Sequence, residues 1–141
     1  MRAVTVRAKE LRYAVDLMPG GKLRDEDGVV LDVPGEWSPE HLLLAALIRC
    51  SLQSLRYHAH RLGVAVGATS GSSRTLVTKR ESDDRYALVE TQVQLAAEIE
   101  PEPESDALAE LLAAAERDCF VGSSLTATPG YRWVVNGRAA A

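Results

Sequence analysis

The N-terminal part of the chain has a pattern of short strands separated by turns. From Leu11 to Leu17, apolar and polar side chains alternate with a period of two, which is typical of a strand with one buried face. Turn-forming segments at Pro19–Gly21 and Asp25–Gly28 separate this strand from two further short segments, Lys22–Arg24 and Val29–Leu31. The sequence therefore predicts a small antiparallel meander.

The pattern then changes to that of a long helix, predicted from Ser38 to Leu62. Ser38 is a good N-cap residue, Pro39 suits the first helical position, and Gly63 is a natural residue just past the C-terminal end. Residues Leu42–Ile48 are apolar on every side, and a helix that is apolar all round is buried. We therefore expect this helix to lie at the centre of the fold.

The rest of the chain predicts a hairpin, a second helix and a last strand pair or one long strand. Ser82–Arg85 is expected to form the hairpin turn, Ser105 to cap the second helix, and Arg138–Ala141 to fray. Because the strands come in runs and do not alternate with helices, the predicted class is α+β. The remaining elements are predicted at Val64–Thr78, Tyr86–Ile99, Asp106–Arg117, Ser124–Thr128 and Tyr131–Asn136.

Length and composition indicate one globular domain covering residues 1–141, with 46% hydrophobic and 26% charged residues. The chain carries 16 basic and 20 acidic side chains, which argues against nucleic acid as a partner. Its longest apolar run, Leu42–Ile48, is far shorter than the roughly 20 residues of a membrane span. Met1–Tyr13 lacks the apolar segment of a secretory signal, so the expected location is cytoplasmic.

Two cysteines, Cys50 and Cys119, are the main candidates for chemistry. In the cytoplasm they are better explained as thiols with chemistry than as a structural disulfide. Cys50 is expected in the middle of the long helix, where Arg49 and Arg56 are poorly placed to lower its pKa. Cys119 is expected at a helix-to-strand junction that moves easily. The alternative is that both cysteines only fill space in the core.

The histidines predict no metal site. His58 and His60 are two positions apart, about 200° around a helix, so they cannot share a metal ion. His41 is expected at the surface, and His58 and His60 are expected to be solvated or packed. The two cysteines are too far apart in sequence to form a local metal motif.

The segment Ser38–Cys50 resembles the OsmC/Ohr family, the osmotically inducible and organic hydroperoxide resistance proteins. In that family a helix begins with a Pro-Glu element, and the peroxidatic cysteine follows the Glu at the spacing found here between Glu40 and Cys50. A second family cysteine follows a second helix, usually as Cys-Pro-x-Ser. Cys119 has this place in the order, although Phe120–Ser123 departs from the Pro-x-Ser pattern. The order of strands and helices extends the resemblance over nearly the whole chain.

The resemblance implies an OsmC-like fold: an antiparallel sheet wrapped around a long central helix, with a second helix, in an intertwined homodimer. It also implies a thiol-dependent peroxidase without a cofactor. Cys50 would reduce an organic hydroperoxide and become a sulfenic acid, Cys119 would form a disulfide with it, and a thiol or dithiol would reduce that disulfide. The family's active-site arginine corresponds to Arg24, with Arg12 as the alternative, and Glu40 would hold this arginine.

Helix geometry suggests that such a site is shared between two chains. Glu40 lies ten positions before Cys50, which is about 15 Å along a helix axis. A glutamate side chain does not span that distance, whereas a two-fold axis can bring the start of one helix near the middle of its mate. We therefore expect Cys50 and Cys119 from one chain and Glu40, with Arg24, from the other. The alternative function is a redox-sensing or small-ligand-binding protein of the same fold without significant turnover.

Overall fold

A computed structural model describes residues 8–140 of the chain. The expectation about a secretory signal falls partly on residues 1–7, and part of the expected fraying falls on Ala141; these positions lie outside the described residues. The chain forms two compact units that divide between Ser38 and Pro39, and each is described by itself.

The N-terminal unit contains the predicted antiparallel meander. Its strands are β1 (Val15–Leu17), β2 (Leu23–Asp25) and β3 (Val30–Leu31). They pair in the order β1-β2-β3, and β1 begins later than the expected Leu11. The Asp25 carboxylate closes the second turn by accepting hydrogen bonds from the backbone N–H groups of Asp27 and Val29, each at 2.9 Å.

The C-terminal unit begins with the predicted long helix, α1 (Pro39–Leu62). The helix ends at Gly63, whose φ of +86° is readily adopted by glycine and whose N–H donates to the carbonyl of His60 at 3.1 Å. Within the apolar stretch Leu42–Ile48, Leu47 is fully buried but the other residues are only partly buried, so the expectation of burial on every side is wrong within this chain. The buried face instead repeats at a four-residue spacing through Leu47, Ser51, Leu55 and Ala59.

A four-stranded sheet packs against this helix. Its strands, in spatial order, are β4 (Ala65–Lys79), β5 (Tyr86–Glu100), β6 (Gly130–Val135) and β7 (Arg138–Ala140). The predicted hairpin is present as the antiparallel pair β4–β5, whereas β5 and β6 are parallel and the sheet is therefore mixed. The parallel pairing follows from the connection, because the chain crosses through helices before it returns as β6. The buried positions of β5 alternate as expected, at Thr91, Val93, Leu95, Ala97 and Ile99.

Two helices connect β5 to β6: α2 (Ser105–Arg117) and the short α3 (Phe120–Ser123). Ser105 is already helical, and the N-cap position is Glu104, which makes no side-chain capping bond, so the predicted cap is wrong. Leu111, Leu112 and Ala115 form the buried face of α2, which packs against α1.

The expected strand at Ser124–Thr128 is absent from the structure. The chain turns after α3, where the hydroxyl groups of Ser123 and Ser124 donate to the backbone carbonyls of Arg117 and Phe120. Such local side-chain bonds compete with strand pairing.

The C-terminal end is more ordered than the sequence suggested. Residues Arg138–Ala140 form β7 and pair with β6, so the predicted fraying is wrong for them. The turn between the two strands uses Asn136 and Gly137, whose φ angles of 50° and 81° are those of a tight hairpin turn.

Candidate functional site

The fold brings Cys50 and Cys119 together, although they lie far apart in the sequence. Cys50 is on α1 and is partly buried, while Cys119 follows α2 and is fully buried. Both are free thiols, and each lies close enough to the other to shift its pKa. The backbone N–H of Val121 donates to the Cys50 Sγ at 3.5 Å. The two thiols therefore form one small cluster.

The sequence suggested that Cys119 lies at a helix-to-strand junction that moves easily, and the structure differs. Cys119 is the N-cap residue of α3, and its Sγ accepts a hydrogen bond from the Gly122 N–H at 3.4 Å. Its zero exposure and this bond fix the thiol in place. The reason for the error is that the segment after α2 folds into α3 and does not continue directly into a strand.

Two hydroxyl groups also contact the Cys119 sulfur. Ser51 Oγ lies 3.5 Å from it, and the Tyr131 hydroxyl is close enough to help lower its pKa. The hydroxyl oxygens of Ser51 and Tyr131 are themselves 3.1 Å apart. Ser51 Oγ is also 2.8 Å from the carbonyl oxygen of Leu47, which can accept its proton. The Cys119 sulfur is thus surrounded by groups that can donate hydrogen bonds.

These surroundings separate the two thiols in acidity. Burial alone would raise the pKa of Cys119, but hydrogen bonds from Ser51 and from the Gly122 N–H, with those from Cys50 and Tyr131, hold it below the ordinary value. Burial raises the pKa of Cys50, and its bond to Cys119 adds to that rise against the opposing Val121 N–H. Burial likewise raises the pKa of Tyr131 far above its ordinary value, so its hydroxyl keeps its proton. Within the C-terminal unit, Cys119 is the thiol that ionises more readily.

Gly122 provides the space for this arrangement. A Cβ atom at this position would lie 3.2 Å from the Tyr131 hydroxyl, 3.5 Å from the Cys119 Sγ and 3.6 Å from a methyl carbon of Leu47. The first of these is tighter than an ordinary van der Waals contact. Glycine therefore allows the tyrosine hydroxyl to approach the thiol.

A second contact links α1 to the segment that carries Cys119. His58 Nε2 lies 2.7 Å from Asp118 Oδ2, and Arg117 Nη2 lies 3.0 Å from the same oxygen. These bonds, the one from Arg117 first, lower the pKa of the Asp118 carboxyl. From the sequence, His58 was expected to be solvated or packed, and nothing in the spacing of His58 and Asp118 indicates that they pair.

The other predicted site residues are described within their own units. In the N-terminal unit, Arg24 lies on β2 and pairs with Asp16 at 3.3 Å, while Arg12 pairs with Glu10 at 3.0 Å. In the C-terminal unit, Glu40 lies in the first turn of α1. The catalytic roles expected for Arg24, Arg12 and Glu40 remain predictions.

A cavity of about 300 Å³ lies beside the cysteine cluster. It borders on Tyr131 and Gly122, but the Cys119 sulfur behind them stays fully buried. Its other lining residues are Glu116, Arg117, Ser123, Leu125, Thr128 and Pro129. Among the described residues, His, Cys, Asp and Glu side chains form no group of three that could hold a metal ion. No helix in residues 8–140 has both the length and the apolar character that crossing a membrane requires.

Ser51 and Tyr131 are the site residues that sequence reasoning missed. A signal for Ser51 exists, because it falls in the four-residue repeat that Leu47, Leu55 and Ala59 form on the buried face of α1. A serine within such a repeat is a buried polar group, which needs a hydrogen-bond partner. Tyr131 carries no comparable signal, since its contact depends on how β6 packs against α1.

Comparison with known proteins relates both the sequence and the fold to one group. A family model described as OsmC-like protein matches residues 33–132. A structure of an OsmC-like protein of unknown function from Vibrio cholerae has a TM-score of 0.72 at 13% identity, covering 90% of this chain and 100% of that one. An OsmC-like protein from Mycoplasma pneumoniae has a TM-score of 0.67 at 13% identity, covering 92% and 99%.

A third structure, the organic hydroperoxide resistance protein OhrB of Bacillus subtilis, has a TM-score of 0.53 at 18% identity, with 89% of this chain and 96% of that chain covered. Structural likeness at such low identity indicates a shared fold. No curated protein matches the sequence.

Proposed function

Because the chain belongs to the family of OsmC-like proteins, we propose that it is a thiol-dependent peroxidase that reduces organic hydroperoxides. The observation that supports this most directly is the pairing of two free thiols, one partly exposed on α1 and one fully buried beside it. A cysteine pair with one accessible and one protected sulfur suits a cycle in which the first meets the peroxide and the second closes a disulfide.

In the proposed cycle, the Cys50 thiolate attacks one oxygen of the peroxide. The new S–O bond forms as the O–O bond breaks, the alcohol leaves after it takes up a proton, and Cys50 becomes a sulfenic acid. The Cys119 thiolate then attacks the Cys50 sulfur, which forms the disulfide and releases the oxygen as water after protonation. A thiol or dithiol reductant returns both cysteines to thiols. The lowered pKa of Cys119 favours its attack, because the thiolate is the nucleophile.

The peroxide step requires help that the surroundings of Cys50 within α1 and α3 do not supply. Burial raises the pKa of Cys50, which disfavours the thiolate at neutral pH. A guanidinium group would oppose that effect by stabilising the negative sulfur and by donating hydrogen bonds to the peroxide. We assign this role to Arg24, held by Glu40, in a homodimer whose two active sites are shared between the chains.

Organic hydroperoxides suit the surroundings of Cys50 better than hydrogen peroxide does. Phe120 is 62% exposed and Val121 is partly buried, and the stretch of α1 before Cys50, Leu42–Leu47, is apolar. These apolar side chains favour an alkyl or lipid group, whereas hydrogen peroxide has no apolar part that could bind them. We place the reaction in the cytoplasm, where thiol reductants are available.

The test is steady-state turnover of the purified full-length protein with a dithiol. Cumene hydroperoxide and hydrogen peroxide are compared at equal concentrations, and Cys50→Ser serves as the inactive control. We expect turnover with both cysteines present and a clear preference for cumene hydroperoxide. Oxidation of one equivalent without turnover would refute the peroxidase and favour the redox-sensing alternative, while two unreactive thiols would indicate core filler.

A further inference from the structure

When the Cys50–Cys119 disulfide is reduced, one sulfur is attacked and the other leaves, and the surroundings of Cys119 differ from those of Cys50 in ways that bear on this choice. Cys119 is fully buried and cannot meet a reductant in solution, whereas Cys50 is partly exposed. A thiolate that attacks a disulfide must reach one sulfur and expel the other. Access therefore favours attack at Cys50 and departure of Cys119.

The surroundings of Cys119 are suited to a departing thiolate. Its sulfur has the Gly122 N–H at 3.4 Å and Ser51 Oγ at 3.5 Å, and the Tyr131 hydroxyl lies 3.1 Å from that Ser51 oxygen. When the disulfide opens, negative charge appears on this sulfur, and a leaving sulfur of lower pKa departs faster. Donors already beside the sulfur stabilise that charge with no larger change than the rotation of a hydroxyl group.

The single hydroxyl proton of Ser51 can be donated to different acceptors, depending on whether Cys119 is ionised. With Cys119 neutral or in a disulfide, the proton has a good acceptor in the Leu47 carbonyl at 2.8 Å, and the Ser51 oxygen can accept from Tyr131 at 3.1 Å. With Cys119 ionised, rotation of the hydroxyl directs the same proton to the sulfur. Tyr131 keeps its proton through the cycle because burial raises its pKa. The ionisable groups facing the sulfur are Cys50 from α1 and Tyr131 from β6, with Glu116 of α2 acting on Tyr131.

We propose that Ser51, Tyr131 and the Gly122 N–H hold Cys119 as the leaving thiolate, so that a reducing thiol attacks the disulfide at Cys50. The reductant sulfur bonds to Cys50 Sγ as the Cys50–Cys119 bond breaks, and Cys119 takes the electron pair. A second reductant thiol then attacks the mixed disulfide and releases Cys50. Ser51 and Tyr131 are positioning residues in this step, which rests on the proposed function through its Cys50–Cys119 disulfide.

The first test maps the site of attack and does not depend on peroxidase activity. The full-length protein is oxidised with diamide, loss of both thiols is verified, and 2-mercaptoethanol is added. Early samples are quenched with acid, alkylated and analysed by peptide mass spectrometry. We expect mercaptoethanol predominantly on Cys50 and the alkylating group on Cys119. Mercaptoethanol found predominantly on Cys119, or equally on both, overturns the proposal.

The second test examines the hydrogen-bond donors with a matched control. Ser51→Ala and Tyr131→Phe should each slow the reaction of the disulfide with 2-mercaptoethanol about threefold, because the leaving sulfur becomes more basic. In a Cys50→Ser background, each should raise the pKa of Cys119, seen as a shift of its thiolate absorbance to higher pH. Ser54→Ala is the control, because it removes a buried hydroxyl group from α1. That hydroxyl has no hydrogen-bond partner among the described residues. The variant should change neither the exchange rate nor the pKa of Cys119.

The two proposals fail in distinguishable ways. A diamide disulfide that opens at Cys50, in a protein that does not turn over peroxide, refutes the peroxidase and supports the leaving-group assignment. Normal peroxide turnover, combined with attack of the reductant at Cys119, supports the peroxidase and refutes the leaving-group assignment. If Tyr131→Phe does not fold, two results still test the leaving-group assignment. They are the behaviour of Ser51→Ala and the cysteine that carries mercaptoethanol in the unaltered protein. An unchanged exchange rate and Cys119 pKa in Ser51→Ala would contradict its positioning role.

Discussion

His58 Nε2 and Asp118 Oδ2 lie 2.7 Å apart, so a side chain of α1 bonds directly to the residue that precedes Cys119. Cys50 lies on the same helix, two turns before His58. The bond therefore fixes the segment that carries one cysteine against the helix that carries the other. It stabilises the alignment of the two sulfurs without touching either of them.

Replacing Asp118 should slow closure of the disulfide. In Asp118→Ala, α1 loses its bond to the segment before Cys119, and we expect the Cys50 sulfenic acid to persist about threefold to tenfold longer, because poor alignment lowers reactivity. The measurement is the lifetime of the sulfenic acid after one equivalent of cumene hydroperoxide, followed with a trapping reagent. Asp83→Ala is the control, since it removes a similar bond, to Arg80, in the turn between β4 and β5. Equal lifetimes in the two variants would contradict the alignment role.

The same carboxylate should make a pH-dependent contribution to stability. Bonds from Arg117 and His58 lower the pKa of Asp118 in the folded state. In the unfolded chain, the same carboxyl has a pKa of about 3.9. The folded state therefore binds fewer protons, so the contribution is complete above the unfolded pKa and is lost as the pH falls through the folded pKa. Urea unfolding should show that Asp118→Asn is less stable than the unaltered protein near pH 7, with the difference shrinking in acid. A difference that stays constant would exclude this origin.

The two cysteines should fail differently when replaced. Cys50→Ser should abolish peroxide reduction, since no thiolate remains to attack the O–O bond. Cys119→Ser should allow one oxidation and then stall or over-oxidise at Cys50, because no second thiol converts the sulfenic acid into a disulfide. Turnover assays and intact-mass measurements separate these outcomes. Full steady-state turnover of Cys119→Ser with a dithiol would replace the two-cysteine cycle with a one-cysteine mechanism.

Arg24 should control the acidity of Cys50. Burial raises the pKa of this thiol, so loss of a stabilising cation should move it to or above the free value of about 8.5. The rate of alkylation is measured against pH in a Cys119→Ser background, so that Cys50 is the thiol that reacts. We expect Arg24→Ala to shift the profile to higher pH and Arg12→Ala to leave it unchanged. The reverse result would assign the role to Arg12.

A shared active site should show complementation between chains. Glu40→Ala and Cys50→Ser homodimers should both be weak, because each lacks one part of both sites. In a mixed dimer, the Cys50 of the Glu40→Ala chain would face an intact Glu40, and one working site should give about half of the normal activity. Absence of recovery, although mixed dimers are shown to form, would place Glu40 and Cys50 of one chain in the same site.

The sequence predicted those elements whose cause is local. Gly63 marks the end of α1 because a residue with positive φ stops a helix, and the alternation along Tyr86–Ile99 is visible without any tertiary information. Ser124–Thr128 was misassigned because the hydroxyl groups of Ser124 and of the preceding Ser123 bond to nearby carbonyls, a competition that residue patterns do not resolve. The partly exposed side of Leu42–Ala46 shows that apolar composition does not specify what covers a helix.

The candidate site was predictable in its sulfur atoms and not in their surroundings. The resemblance of Ser38–Cys50 to the OsmC/Ohr family, with the order of the two cysteines, selected these thiols as candidates. Their unequal pKa shifts depend on Ser51, Tyr131 and the N–H of Gly122, which come from separate elements. Contacts of that kind follow from tertiary packing, so no pattern along the chain reports them.

The close packing at Gly122 also affects which of the two cysteines can be oxidised irreversibly. A single added carbon there would already contact both the Tyr131 hydroxyl and the Cys119 sulfur, and that sulfur has no access to solvent. A sulfinate carries two oxygen atoms, which the close contacts on the Gly122 side of Cys119 disfavour. Irreversible oxidation should therefore be confined to Cys50, and the resolving thiol should survive intact even in molecules that peroxide has inactivated.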